Sequence, residues 1–147
     1  MNQANQLLRM SCLNFTVDPR SVFCLVGIAV RIAQRMGLNI DGTTYSLPPF
    51  QVEMRRRLWW QIMLLDIRVS ELSGAGHSVL GHSWETKLPL NVNDSDLFPA
   101  MRDPPSEHPG ATEMIFVLQR CEVSFFDRWF FLSGSCRIKM SLVTQEN

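Results

Sequence analysis

The side chains best able to do chemistry stand in one stretch: Arg55-Arg56-Arg57, then Trp59-Trp60, and Asp66 six residues on. Clustered guanidiniums attract anions, so the triplet reads first as a phosphate-binding or nuclear-import patch. Three adjacent helical positions, however, point around more than half of the helix and cannot form one surface. At least one arginine is therefore expected to turn inward, toward Asp66 or toward Asp94 and Asp96. Trp59 and Trp60 could stack on a ligand, but tryptophans inside an apolar run are core residues far more often. Asp94-Ser95-Asp96 puts two carboxylates on one short loop, which suits a hard cation, yet the further oxygen ligands and the later Glu of a calcium loop are missing. His77, His82 and His108 are spread through loops with no His-x-x-x-His pair and no neighbouring cysteine. Cys12, Cys24, Cys121 and Cys136 form no Cys-x-x-Cys pair, so reduced thiols are the default rather than a zinc ribbon or a disulfide scaffold. There is no Gly-x-Ser-x-Gly elbow and no Cys–His arrangement, and Gly74-Ala75-Gly76 is too short for a phosphate loop. No catalytic, cofactor-binding or metal-ligating residue is expected, and no enzyme activity.

The composition narrows the partners. Lys plus Arg and Asp plus Glu both number 14 in 147 residues. A net charge of zero argues against the broad positive field of a free-standing nucleic-acid binder. The N-terminus lacks a basic region followed by an apolar run, and the most apolar segment, residues 58–67, is interrupted by Gln61 and Asp66 and too short to span a bilayer. A soluble, unsecreted protein with no membrane contact is expected, its 147 residues fitting one domain.

Three helices must position these residues, and an all-α fold follows. Asp18-Pro19 is a start signal, since Asp18 can accept from orphan backbone N–H groups and Pro19 loses nothing at the first helical position. Val22, Leu25, Val26, Ala29, Ile32, Ala33 and Met36 recur at helical spacing, and Gly37 supplies the stop. Asp41-Gly42-Thr43-Thr44 reads as a turn, and Pro48-Pro49 leads extended chain into a central helix ending before Gly74. On that helix Met54, Leu58, Ile62, Leu65, Val69 and Leu72 form one apolar stripe, widened by Trp60, Leu64 and Ile67, and most of its girth is expected to be covered. Glu53 and Arg57 are spaced as an exposed ion pair worth about 0.3–0.5 kcal/mol. Asp66 lies in an apolar run where an unpaired carboxylate is costly, so it is expected to be buried against a partner from another segment. Residues 73–110 lose all periodicity and are rich in Gly and Pro. Their first part is nevertheless too apolar for a free linker, with Leu80, Trp84, Leu88, Leu90 and Leu97. Thr112 caps a third helix, with Glu113 in its first turn, in which Met114, Leu118, Cys121, Phe125, Trp129 and Leu132 repeat before Gly134. Residues 135–147 are an unpatterned tail.

Arg55-Arg56-Arg57-Leu58-Trp59-Trp60, then Leu64-Leu65-Asp66 and a glycine-rich turn at Gly74, resemble the signature of the fungal-specific transcription factor domain, the middle regulatory region of fungal binuclear zinc-cluster proteins. Ala29, Ala33 and Met36-Gly37-Leu38-Asn39 match the helix that precedes that signature. Residues 84–97, with Thr86-Lys87-Leu88-Pro89-Leu90-Asn91 and Asn93-Asp94-Ser95-Asp96, resemble the segment that follows it, and Thr112-Glu113-Met114 matches beyond the proline-rich loop. The resemblance covers roughly residues 20–132. It implies part of a multi-helix regulatory domain, in which Arg55, Arg56, Arg57, Trp59, Trp60, Asp66, Gly74, Pro89, Asn91, Asp94 and Asp96 are signature positions with structural roles. It also implies transcription regulation in the nucleus, through protein contacts, with zinc held only by the DNA-binding domain of full-length relatives. The sequence departs from that pattern in having no six-cysteine cluster, so DNA contact is expected only indirectly. Gly74-Ala75-Gly76-His77 also stands where many members carry Gly-Arg-Pro.

These departures suggest a partial domain: a fragment, a truncated gene product or an inert remnant. Apolar faces on all three helices, with Phe116, Phe126, Phe130 and Phe131 outside the main stripe of the third, suggest a chain that self-associates or binds a protein partner. The rival reading is a small helical ligand-binding protein whose pocket is flanked by Trp59, Trp60 and Trp84.

Overall fold

The computed structural model describes residues 18–74 and 84–132, with side chains through residue 124. The expectations for Cys12, His77, Leu80, His82, Cys136, the tail and the side chains of Phe125, Phe126, Trp129, Phe130, Phe131 and Leu132 lie outside the described residues. Among the described residues three helices form, α1 (Pro19–Arg35), α2 (Pro49–Ser73) and α3 (Ile115–Leu132), with short 3-10 turns at Gly42–Tyr45 and Asp94–Asp96. The described residues contain no strand, so the fold is all-α as the sequence implies.

The boundaries fall where local chemistry puts them. The Asp18 carboxylate accepts from the Ser21 N–H at 3.3 Å, and Pro19 opens α1. Gly37 and Gly74 both take the left-handed conformation, at φ +67° and +71°, and close α1 and α2. Asp41 caps the 3-10 turn through the Thr43 N–H. Helix α3 begins slightly later than expected. Thr112 accepts from the Met114 N–H at 3.1 Å, but Glu113 precedes the helix and bonds elsewhere.

Arg55, near the start of α2, reaches the carbonyls at the end of α1 and ties the two helices together there. One core joins all three: Val26, Val30, Ala33 and Leu38 from α1 and its exit, Trp59, Trp60, Met63, Leu64 and Val69 from α2, and Met114, Val117 and Cys121 from α3 and its approach. Helix α2 is central, but rotated from the sequence expectation. Met54 is 43% and Leu58 47% exposed, and Leu72 also faces outward, so half of the expected stripe is surface. The buried side keeps Trp60, Leu64 and Val69 of that stripe and adds Val52, Glu53, Arg56, Arg57, Trp59, Met63, Asp66 and Ser70. Spacing arguments place charged residues outside. Here the two arginines and the glutamate find partners within the protein, which lets both tryptophans turn inward together. In α1 the same correction applies to Leu25, Ile32 and Met36, which are exposed while Val26, Val30 and Ala33 are buried.

Candidate functional site

The three arginines diverge, as adjacent helical positions must. Arg55 donates from Nη2 to the carbonyls of Met36 and Gly37, at 2.9 and 2.8 Å. The Met36 carbonyl stands at the C-terminal cap of α1, where a cation also complements the helix dipole. Arg56 forms a two-pronged pair with Asp41, Nε to Oδ2 at 2.8 Å and Nη2 to Oδ1 at 3.0 Å. Arg57 donates to Glu53 Oε1 at 2.9 Å, to Asp94 Oδ1 at 2.6 Å and to the Val92 carbonyl at 3.3 Å.

These contacts tie α2 to the loop of residues 84–97. Glu53 accepts from the Leu90 N–H with both oxygens at 3.2 Å. Asp41 accepts from the Lys87 N–H at 3.1 Å, and Trp60 Nε1 donates to the Lys87 carbonyl at 2.9 Å. Farther back, the Thr86 hydroxyl donates to the Leu38 carbonyl at 2.6 Å and the Glu85 N–H to the Asn39 carbonyl at 2.8 Å. Pro89 is buried in the same run and, having no N–H, leaves no donor there to satisfy. Trp84 meets both Trp59 and Trp60 edge-on, with ring centroids 6.4 Å apart in each case. Those ring-to-ring contacts take up faces that ligand stacking would use. Asp66 is fully buried, on the same side of α2 as Trp59 and Met63, whereas the ion pairs of the triplet run to Asp41, Glu53 and Asp94.

A second tier holds the loop of residues 107–113. Asn91 donates from Nδ2 to the carbonyls of His108 and Gly110, accepts from the Thr112 hydroxyl at 2.6 Å, and its N–H donates to Glu107. Asn93 and Glu113 exchange with the Asp94 turn: the Glu113 N–H donates to Asn93 Oδ1, and the Asp94 N–H to Glu113 Oε2. Asp96 accepts from the Asn93 N–H, and its Oδ2 lies 2.8 Å from His108 Nε2. The two aspartates of the candidate cation loop thus serve Arg57 and His108. Among the described residues no group of three or more His, Cys, Asp or Glu side chains is placed to hold a metal, and no helix is long and apolar enough to cross a membrane.

The electrostatics follow from these partners. Burial pushes the Asp41 carboxyl up, but the Arg56 guanidinium, both Thr43 donors and the Lys87 N–H outweigh it and hold it well below the usual carboxylate range. Asp96 is also lowered, first by the His108 hydrogen bond and then by the Asn93 N–H. Burial pushes the Cys121 thiol up to about 12, which leaves it without a reactive thiolate. Because Asp41 is depressed in the folded state, its stabilisation is present above the unfolded carboxylate value near ~3.9 and is lost as pH falls below it. Urea midpoints should therefore drop for the natural chain below about pH 4, while Asp41→Asn should be weaker at neutral pH and flatter in acid. Equal acid slopes for the two would show that the ionised Asp41 adds nothing to stability.

The sequence places Arg55, Arg56, Arg57, Trp59 and Trp60 on one helix and Asn91 and Asp94 on a later segment, and the structure brings that segment against the helix through Arg57–Asp94 and Trp60–Lys87. The partners that sequence reading missed are Asp41, Thr86, Glu107 and His108. The signal for Asp41 was present, an acid directly before a glycine turn and fifteen residues from Arg56, but it read as a turn residue. The Glu53–Arg57 pair, expected at the surface, is buried.

A family model described as the fungal specific transcription factor domain matches residues 3–141. Pyriculol/pyriculariol biosynthesis cluster transcription factor 1 of Pyricularia oryzae is 48% identical over 106 residues, 72% of this chain and 14% of that protein. Transcriptional regulator AacuB of Aspergillus aculeatus is 40% identical over 111 residues, 76% of this chain and 15% of that protein. Aurofusarin cluster transcription factor aurR2 of Gibberella zeae is 38% identical over 117 residues, 79% of this chain and 18% of that protein. The chain thus spans less than a fifth of these relatives' length. No solved structure matches it.

Proposed function

The chain belongs to the fungal specific transcription factor domain family, and on that premise we propose that it is a non-enzymatic regulatory module of transcription, working in the nucleus through protein contacts. The observation that carries this reading is the fate of the arginine-tryptophan motif. Every side chain of the motif that could bind an anion or stack on a base is consumed in holding α1, α2 and the loop of residues 84–97 together. The outward-facing side chains include large apolar ones instead: Leu25, Ile28, Ile32, Met36, Phe98 and Phe116. Large exposed apolar side chains suit contact with another protein, and the relatives' names place them among regulators of transcription.

Two measurements test it. Fused to an unrelated DNA-binding domain in a fungal host, the chain should change reporter output relative to that domain alone, and a fusion that is folded and nuclear but silent would remove the reading. The purified chain by itself should give no sequence-selective gel shift at physiological salt, because with zero net charge it lacks the phosphate neutralisation on which DNA affinity rests. A selective shift would overturn the indirect route to DNA.

A further inference from the structure

We propose that the outer face of α1 is a docking surface for an acidic amphipathic helix of a protein partner. Leu25, Ile28, Ile32 and Met36 follow one another at steps of three, four and four, and each is more than half exposed. That spacing makes a single seam along the helix, roughly 16 Å long at ~1.5 Å per residue. Such a seam matches the anchors that an amphipathic helix presents at every third and fourth position. The seam is also rigid. Val26, Val30 and Ala33 seat the other side of α1 in the core, and Arg55 fixes its C-terminal end, so little ordering remains to be done on binding.

Charge decides which helix fits. Arg31 and Arg35 stand three residues on from Ile28 and Ile32, the spacing of helical neighbours, and Arg20 lies at the N-terminal end. All three are exposed, and none makes an ion pair among the described residues. The acid at this end, Asp18, is held by Ser21 as the helix cap. An apolar seam edged by unpaired guanidiniums favours a partner with carboxylates beside its own apolar residues. Two copies meeting through this face in antiparallel fashion would set arginine against arginine. DNA would have to cover four large aliphatic side chains with a phosphate backbone.

This deepens the reading of the chain as a regulatory module, and the two can fail separately. The probes are two synthetic helical peptides with identical leucines, one carrying Glu and the other Lys at every flanking position, titrated into the full 147-residue chain by fluorescence anisotropy. The Glu peptide should bind at least about tenfold more tightly than the Lys peptide, a preference that weakens as salt screens the charges. Ile28→Ser with Ile32→Ser should abolish binding, and Arg35→Glu alone should erase or reverse the preference. All these positions are exposed, so circular dichroism should show the helices intact. Equal affinity for both peptides, no binding of either, or binding that survives the serine variants would overturn the proposal. So would sedimentation showing an oligomer that the serine variants dissolve, which would assign the face to a second copy. A reporter that responds to the fused chain while these peptide measurements fail would leave the module reading standing and remove only the surface.

Discussion

Replacing Arg57 by alanine should destabilise the protein by about 3–5 kcal/mol, a large part of the ~5–15 kcal/mol that holds an ordinary domain folded. The reason lies in what the substitution leaves behind. The Glu53 side chain is 1% exposed, and its charged partner is Arg57. Without it the carboxylate stays in the interior with only the Leu90 N–H to solvate it. The other limb of the network should behave differently. Asp94 is 64% exposed, so Asp94→Ala removes a contact that water can replace, and it should cost less than about 1 kcal/mol despite the shorter distance. Arg57→Lys should fall between, because one ammonium cannot reproduce a planar fork that reaches Glu53, Asp94 and the Val92 carbonyl together. Replacing Glu53 and Arg57 together by Leu and Met should recover much of the loss, since no buried charge is then stranded. Denaturant unfolding of the four variants decides the matter. An Arg57→Ala change below about 1 kcal/mol, or one matched by Asp94→Ala, would show that Glu53 is hydrated and that the pair is the surface pair its spacing suggests.

Trp60→Ala should have an effect of the same size, about 3–5 kcal/mol, for a different reason. The ring is 1% exposed within the shared core, and alanine leaves a cavity beside Trp84 and the helices. The substitution also cuts the Nε1 bond to the Lys87 carbonyl, one of the ties between α2 and the loop. Trp60→Phe separates the two parts, keeping most of the apolar volume while deleting the donor, and should cost about 1–3 kcal/mol. If Trp60→Ala proves no worse than Trp60→Phe, packing contributes nothing at this position and the tryptophan pair is not a core element. Limited proteolysis gives a second readout, because a loop freed from Trp60 should be cut faster within residues 84–97 than in the natural chain.

What the sequence by itself determined is what short-range chemistry controls. Asp18-Pro19, Gly37, Pro49 and Gly74 set the helix boundaries because caps, proline and left-handed glycine act over one turn and need no distant partner. Family membership was legible for a related reason, since the arginine-tryptophan run and the Leu-Pro-Leu-Asn segment are contiguous words in the chain. The side of α2 that faces the core was legible only in part, through Trp59 and Trp60 read as core residues. That helix has large apolar residues all round, so periodicity offers Met54, Leu58 and Leu72, which are exposed, along with Trp60 and Leu64, which are buried. The tie is broken by partners far along the chain: Asp41 for Arg56, Asp94 and Val92 for Arg57, Lys87 for Trp60 and Leu90 for Glu53. A charged side chain counts as outward only while it has nothing inside to bond. Once tertiary structure supplies that partner, its burial no longer strands a charge, and the whole helix turns with it.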